Sequence, residues 1–209
     1  MSPRPRSVSD EEVLAATARV ISRDGPAQLT VAAVAAEAGF APSSLMQRFG
    51  SKRALLLAFA ERGAAGVGAL FERARARHAD PLEALEAALL LMAAPVRTPA
   101  EMANHLAMLQ MDLADPEFRR HAVAHGRALR REAERLLAAA IERRLADGDP
   151  ATLAGAVQIA FNGALVTWAI HAEGTLERHV RRVLPIVLGH VPQRSAGRRV
   201  RRTSAPSDG

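Results

Sequence analysis

Cysteine and tyrosine are both absent from the 209 residues. Without cysteine there is no disulfide framework, no thiolate catalysis and no cysteine-ligated zinc or iron–sulfur site, which suits a reducing cytoplasm. Aromatic residues are scarce at 3%, six Phe and one Trp. Ala, Leu, Arg and Glu dominate instead, a composition of helices rather than sheets. An all-α protein is expected. Lysine occurs once, at Lys52, so the other 27 of the 28 lysine and arginine residues are arginines. No basic stretch followed by an apolar run opens the chain, so a secretory signal is not expected. The most apolar segment, Ala151 to Ala172, approaches the length of a membrane span but contains Gln158, Asn162 and His171. It lacks basic flanks, and a buried or interface helix is the better reading. No membrane partner is expected.

The chain is 49% hydrophobic and 24% charged, ordinary globular usage, with a formal net charge of +6. That charge sits at the ends. Arg4 and Arg6 lie in the first nine residues, and Arg194, Arg198, Arg199, Arg201 and Arg202 face only Asp208 in the last sixteen, leaving residues 10–193 neutral. Both ends mix Ser, Pro, Gly and Arg with few apolar anchors and are expected to be flexible. Arginine tails suit polyanions, nucleic acid first.

Proline marks helix starts, because it is tolerated at the first helical position. Asp80-Pro81, Thr98-Pro99, Asp115-Pro116 and Asp149-Pro150 each read as an N-cap followed by the first helical residue. Thr98 with Glu101, and Ser9 with Glu12, have the reciprocal spacing of a capping box. Together with apolar periodicity these marks predict helices near 9–24, 30–38, 42–49, 51–78, 81–94, 99–113, 116–147, 150–172 and 175–190. Pro185 should kink the last.

The second and third helices carry the most specific pattern. In the segment Thr30 to Leu56, Val34 and Ala38 face inward, Ala35 permits close packing, and Gly39 supplies the positive φ of a tight turn. Phe40, Leu45 and Phe49 then bury the next helix against the first, a helix-turn-helix whose second helix reads the major groove. From Val13 to Ala60 the chain closely resembles the TetR family of one-component transcriptional regulators. The Thr-x-x-x-Val-Ala-x-x-Ala-Gly-Phe stretch from Thr30 and the following Phe-Gly-Ser-Lys-Arg-x-Leu-Leu stretch carry the resemblance. It implies an N-terminal DNA-binding unit followed by a larger helical domain that dimerises and encloses a small-molecule pocket. The expected division is a basic arm at 1–8, the helix-turn-helix domain at 9–55, a ligand-binding and dimerisation domain at 56–192, and a disordered tail at 193–209.

Lys52 and Arg53 open the fourth helix just after Ser51, where cations oppose the helix dipole. Stability alone would not choose them. A phosphate docked on that helix N-terminus would reverse the sign, and the resemblance implies a DNA-backbone contact for Lys52. Thr30 and Arg48 are further phosphate candidates, and Ser43, Ser44 and Gln47 are candidates for base edges or backbone. Two departures from the family pattern bear on this surface. Ala41 stands where a capping Ser is usual, and Met46 where Tyr is usual.

Farther along, a Met-rich apolar interior suits a pocket for a small apolar effector. Its expected lining is Met92, His105, Met108, Leu109, Gln158, Phe161, Asn162 and Leu165. Two apolar stripes are expected to close a dimer: Val157, Phe161 and Trp168, and Val180, Leu184, Val187 and Leu188. The expectation is a homodimer that binds a palindromic operator in double-stranded DNA, usually as a repressor, and is released by its effector without any cofactor. Two other readings compete. Glu117, His121 and His125 share one helix face and could chelate a metal in an enzyme or metalloregulator, although the glutamate base of the zinc-protease motif is missing. A nucleoid-type module driven by the arginine arms would bind DNA without sequence preference or effector response.

Overall fold

The computed structural model describes residues 8–189. Both arginine clusters, the predicted tail and the end of the last predicted helix lie outside the described residues. Within them the chain forms α1 (Asp10–Gln28), α2 (Val31–Ala38), α3 (Pro42–Phe49), α4 (Lys52–Arg75), α5 (Pro81–Ala93), α6 (Pro99–Ala114), α7 (Pro116–Glu142), α8 (Pro150–His171), α9 (Leu176–Arg181) and α10 (Val183–Val187), and no strand.

The capping grammar holds. Ser9 and Thr98 each accept the N–H three residues on while Glu12 and Glu101 reach back, and Asp80, Asp115 and Asp149 accept first-turn N–H groups ahead of their prolines. The expected ends are less accurate. α4 stops at Arg75 and α7 at Glu142, short of the predicted 78 and 147; just past α7, Arg144 turns the chain with φ 59°. α1 runs on to Gln28 across a break at Gly25, φ 78°, where Pro26 starts the extra turn. The predicted final helix is two pieces. A proline ring collides with the carbonyl four residues earlier, so Pro185 acts upstream: α9 ends at Arg181 and the break falls at Arg182.

Two clusters of buried side chains organise the molecule. Val13, Val20, Ile21, Val34, Leu45 and Leu55 form the first; Phe71, Leu85, Leu89, Leu137, Val157 and Trp168 belong to the second. α4 threads both, giving Leu55 to one and Phe71 to the other. The division expected at residue 55 is therefore incomplete in packing terms, because Met108 of α6 and Phe118 of α7 sit in the N-terminal cluster. Phe118 is 1% exposed, and its burial there is worth about 1.5–3 kcal/mol. The long helices help to hold the N-terminal unit together.

Candidate nucleic-acid interface and effector cavity

The α2–turn–α3 unit is built as its sequence dictates. Thr30 caps α2, its hydroxyl accepting the Ala33 N–H at 3.0 Å. Gly39 adopts φ 67°, and the returning chain places the Phe40 N–H 2.8 Å from the Ala35 carbonyl. Leu45, with no exposed surface, pins α3 from beneath. Ser43 and Gln47 lie exposed with Met46 on the outer face at i, i+3 and i+4, whereas Ser44 is half-buried beside Phe40 and Ala41. Ala41 makes no side-chain cap, so α3 starts on Pro42 alone.

Lys52, Arg53 and Arg48 all have internal partners, so Lys52 and Arg53, expected to have no reason in stability alone, have one after all. Lys52 Nζ donates to the Ala27 carbonyl at 2.9 Å, meeting the negative end of α1. Arg48 Nη1 donates to the Val8 carbonyl at 2.7 Å, pairs with Asp10 at 3.1 Å and lies over the Phe40 ring. It ties the recognition helix to the start of α1. Arg53 reaches Asp115 at 2.7 Å and Glu117 at 2.5 Å and stacks on Phe118, and its guanidinium holds the Asp115 carboxyl below the usual range.

The second site lies among α4, α5, α6, α7 and α8, around a cavity of about 450 Å³. All eight expected lining residues, Met92, His105, Met108, Leu109, Gln158, Phe161, Asn162 and Leu165, surround it. The sequence reading missed Asp112, His121 and His125, which line it too. Asp112 follows His105 by seven residues, two turns of one helix face, a spacing legible in the sequence once α6 is placed. Burial lifts its carboxyl to about 6, with the charge of His121 pulling the other way. Burial also lowers both His105 and His125 below the usual imidazole range, Glu101 opposing it at His105 and the Gly63 carbonyl at His125. Both imidazoles are accordingly neutral at pH 7. Gln158 approaches α7 where Gly126 leaves room, and its Oε1 accepts from Arg130 at 3.2 and 3.3 Å.

The metal trio weighed as a competing reading is not assembled, and the dimer expectation needs revision. Glu117, His121 and His125 do not converge, because Glu117 turns to Arg53 and His125 bonds toward Gly63; among the described residues no trio of His, Asp or Glu could hold a metal ion. The dimer stripes also face the wrong way. Val157, Phe161, Trp168, Val180 and Leu184 are all buried within the chain's own core, and Val187 and Leu188 pack against it. The helical faces were right but belong to the intramolecular core. Ile159, Gly163 and Ile170 line the opposite side of α8, with Ile159 75% and Ile170 73% exposed and open space above Gly163.

α6 touches both sites. From its first half Asn104 Nδ2 donates to the Ser22 and Arg23 carbonyls at 2.8 and 3.2 Å, against the Gly25 break of α1. At its end Asp115 holds Arg53 of α4, and between them His105 and Asp112 face the cavity.

Comparison with known proteins agrees with this geometry. Residues 13–59 match the family model described as bacterial regulatory proteins, tetR family. No curated protein matches the sequence. Among solved structures, a TetR transcription regulator from Haloarcula marismortui is similar at TM-score 0.66 and 20% identity, over 87% of this chain and 96% of that one. FadR from Bacillus subtilis, solved with stearoyl-CoA, is similar at TM-score 0.63 and 16% identity, over 88% and 100%. SmeT, the repressor of the Stenotrophomonas maltophilia multidrug efflux pump SmeDEF, follows at TM-score 0.58 and 21% identity, over 87% and 89%. The chain thus carries the N-terminal unit of the tetR family of bacterial regulatory proteins on the all-helical fold of solved TetR transcription regulators.

Proposed function

We propose that the protein is a cytoplasmic transcriptional regulator, a repressor rather than an enzyme, that grips a palindromic operator as a homodimer and lets go when a small molecule fills the cavity. One observation carries this reading: a single helix, α6, lines the cavity with one face and clamps α1 and α4 of the DNA-reading unit through Asn104 and Asp115. A ligand that prefers one setting of α6 shifts the pose of α3, since only differential affinity for two states moves their balance. Similar folds solved with ligands, such as FadR with stearoyl-CoA, support an effector-responsive role.

In this reading Ser43 and Gln47 meet base edges, Met46 offers an apolar contact to a thymine methyl, and Thr30 and Lys52 meet phosphates. Arg48 orders the recognition helix. The uncovered face of α8, with Ile159, Gly163 and Ile170, together with Ile186 of α10, packs against a second copy. An apolar strip of this kind needs cover, and the two-fold arrangement sets the recognition helices about 34 Å apart. Footprinting of the purified protein on the DNA upstream of its own gene tests the reading. Protection of two half-sites one turn apart, resisting bulk competitor, is expected. Uniform binding without preference would instead favour a nucleoid-type protein. Light scattering at micromolar concentration should give the dimer mass.

A further inference from the structure

The lining of the α4–α8 cavity has a distinctive charge pattern. Among the described residues no arginine or lysine lines it. Arg130, which reaches the lining residue Gln158, is turned to its Oε1 at 3.2 and 3.3 Å. Asp112 is half-buried at the wall and, among the described residues, makes no hydrogen bond or ion pair. From the element packed opposite, His121 and His125 are the titratable neighbours; on its own helix, His105 lines the cavity and Glu101 adds negative field behind it. His105 Nε2 is the single buried side-chain nitrogen or oxygen among the described residues that lacks a partner.

Three ligand classes can be weighed against that wall. An anion would meet Asp112 and the field of Glu101 with no cation to bind it. A neutral molecule would strip the remaining water from the Asp112 carboxylate, which must then stay unpaired or first take up a proton, so part of the binding is spent on the carboxyl. A cation supplies the missing partner. We propose that the cavity takes an apolar organic monocation, an amine whose ammonium pairs with Asp112 while its hydrocarbon lies against Met108, Leu109 and Phe161. His105 Nε2 stands about 10 Å along α6 from that charge, one helical rise of seven residues, and accepts or gives a hydrogen bond at the far end of the ligand. Asp112 is thereby the residue that sets effector class. This inference rests on the effector reading of the cavity, and its direct test does not involve DNA.

Calorimetric titration at pH 7.5 with decylammonium, decanol and decanoate, which share a chain and differ in head-group charge, separates the classes. Decylammonium is expected to bind at least tenfold more tightly than decanol, with decanoate weakest. Asp112→Asn should bring decylammonium down to the affinity of decanol. Asp112→Glu should keep the preference, as should Asp147→Asn on the exposed α7–α8 loop. Decanoate binding most tightly, a preference that survives Asp112→Asn, or no binding of any of the three would overturn the inference. Operator release measured alongside keeps the two readings apart. Tight, Asp112-dependent amine binding that leaves operator affinity unchanged sinks the regulator mechanism and leaves this inference standing. Release by other compounds without amine binding does the opposite.

Discussion

Thr17 and His105 show how differently the two halves treat buried polarity. Thr17, fully buried in α1, returns its hydroxyl to the Val13 carbonyl at 2.9 Å and is satisfied. His105, in the wall of the cavity, leaves Nε2 with nothing to bond. The buried hydroxyl of the N-terminal core is closed off within its own helix; the larger half keeps a cavity of about 450 Å³ with one unpartnered buried nitrogen in its wall. A satisfied buried hydroxyl fixes one arrangement, whereas an unpartnered nitrogen at a cavity wall leaves a bond to be made.

The contrast can be broken most forcefully at Leu45. Leu45→Ala empties a fully buried site under the recognition helix and should cost about 2–5 kcal/mol in urea denaturation, along with operator binding. Leu109→Ala, at the cavity mouth and 46% exposed, should cost under about 1 kcal/mol. Equal losses would erase the distinction. Gly25→Ala is expected to be next in size, about 1–3 kcal/mol, since it forces a non-glycine residue into φ 78° and sets a methyl 2.7 Å from Asn104 Oδ1. Thermal melts with and without effector would show whether the two halves still respond together.

Asp112→Asn should work in the opposite direction and stabilise the protein. The folded carboxyl titrates at about 6 against 3.8 unfolded, so the native state holds its proton more tightly. Stability linked to that proton is complete below about pH 4 and is lost as pH rises through 6. Asparagine escapes the loss, so the variant should match the wild type at pH 4 and exceed it by about 1 kcal/mol at pH 7.5, a figure reduced because the group is only half-buried. Denaturation curves at the two pH values check the sign. The smallest effect on folding belongs to Lys52→Ala, which should cost under about 1 kcal/mol for the lost Ala27 bond but weaken binding to all DNA sequences and reduce the salt slope by about one.

Local chemistry was legible in the sequence wherever it is one-dimensional. Pro81, Pro99, Pro116 and Pro150 with their preceding caps located four helix starts, and Thr30, Gly39 and Leu45 located the reading head. Five of the eight cavity residues came from apolar helical faces, and His105, Gln158 and Asn162 from polar side chains set among them. Direction was harder. Val157 and Trp168 mark a genuine stripe, yet periodicity does not say whether its partner lies in the same chain or another. Nor could composition show that Arg53 reaches Asp115 and Glu117, or that Asn104 closes on Ser22, because those pairs join segments more than sixty residues apart. Asp112 was passed over because the polar candidates were sought among neutral side chains, and an acidic residue on an apolar helix reads as its solvated face.

The start of α3 has its own consequence. With Ala41 in place of a capping side chain and Pro42 supplying no N–H, the amides of Ser43 and Ser44 begin the reading helix without a side chain closing over them. Hydrogen–deuterium exchange should find this turn trading protons sooner than the Thr30-capped start of α2 in the free protein. A duplex that covers it would slow that exchange, so the first turn of α3 doubles as a built-in reporter of whether the head is seated.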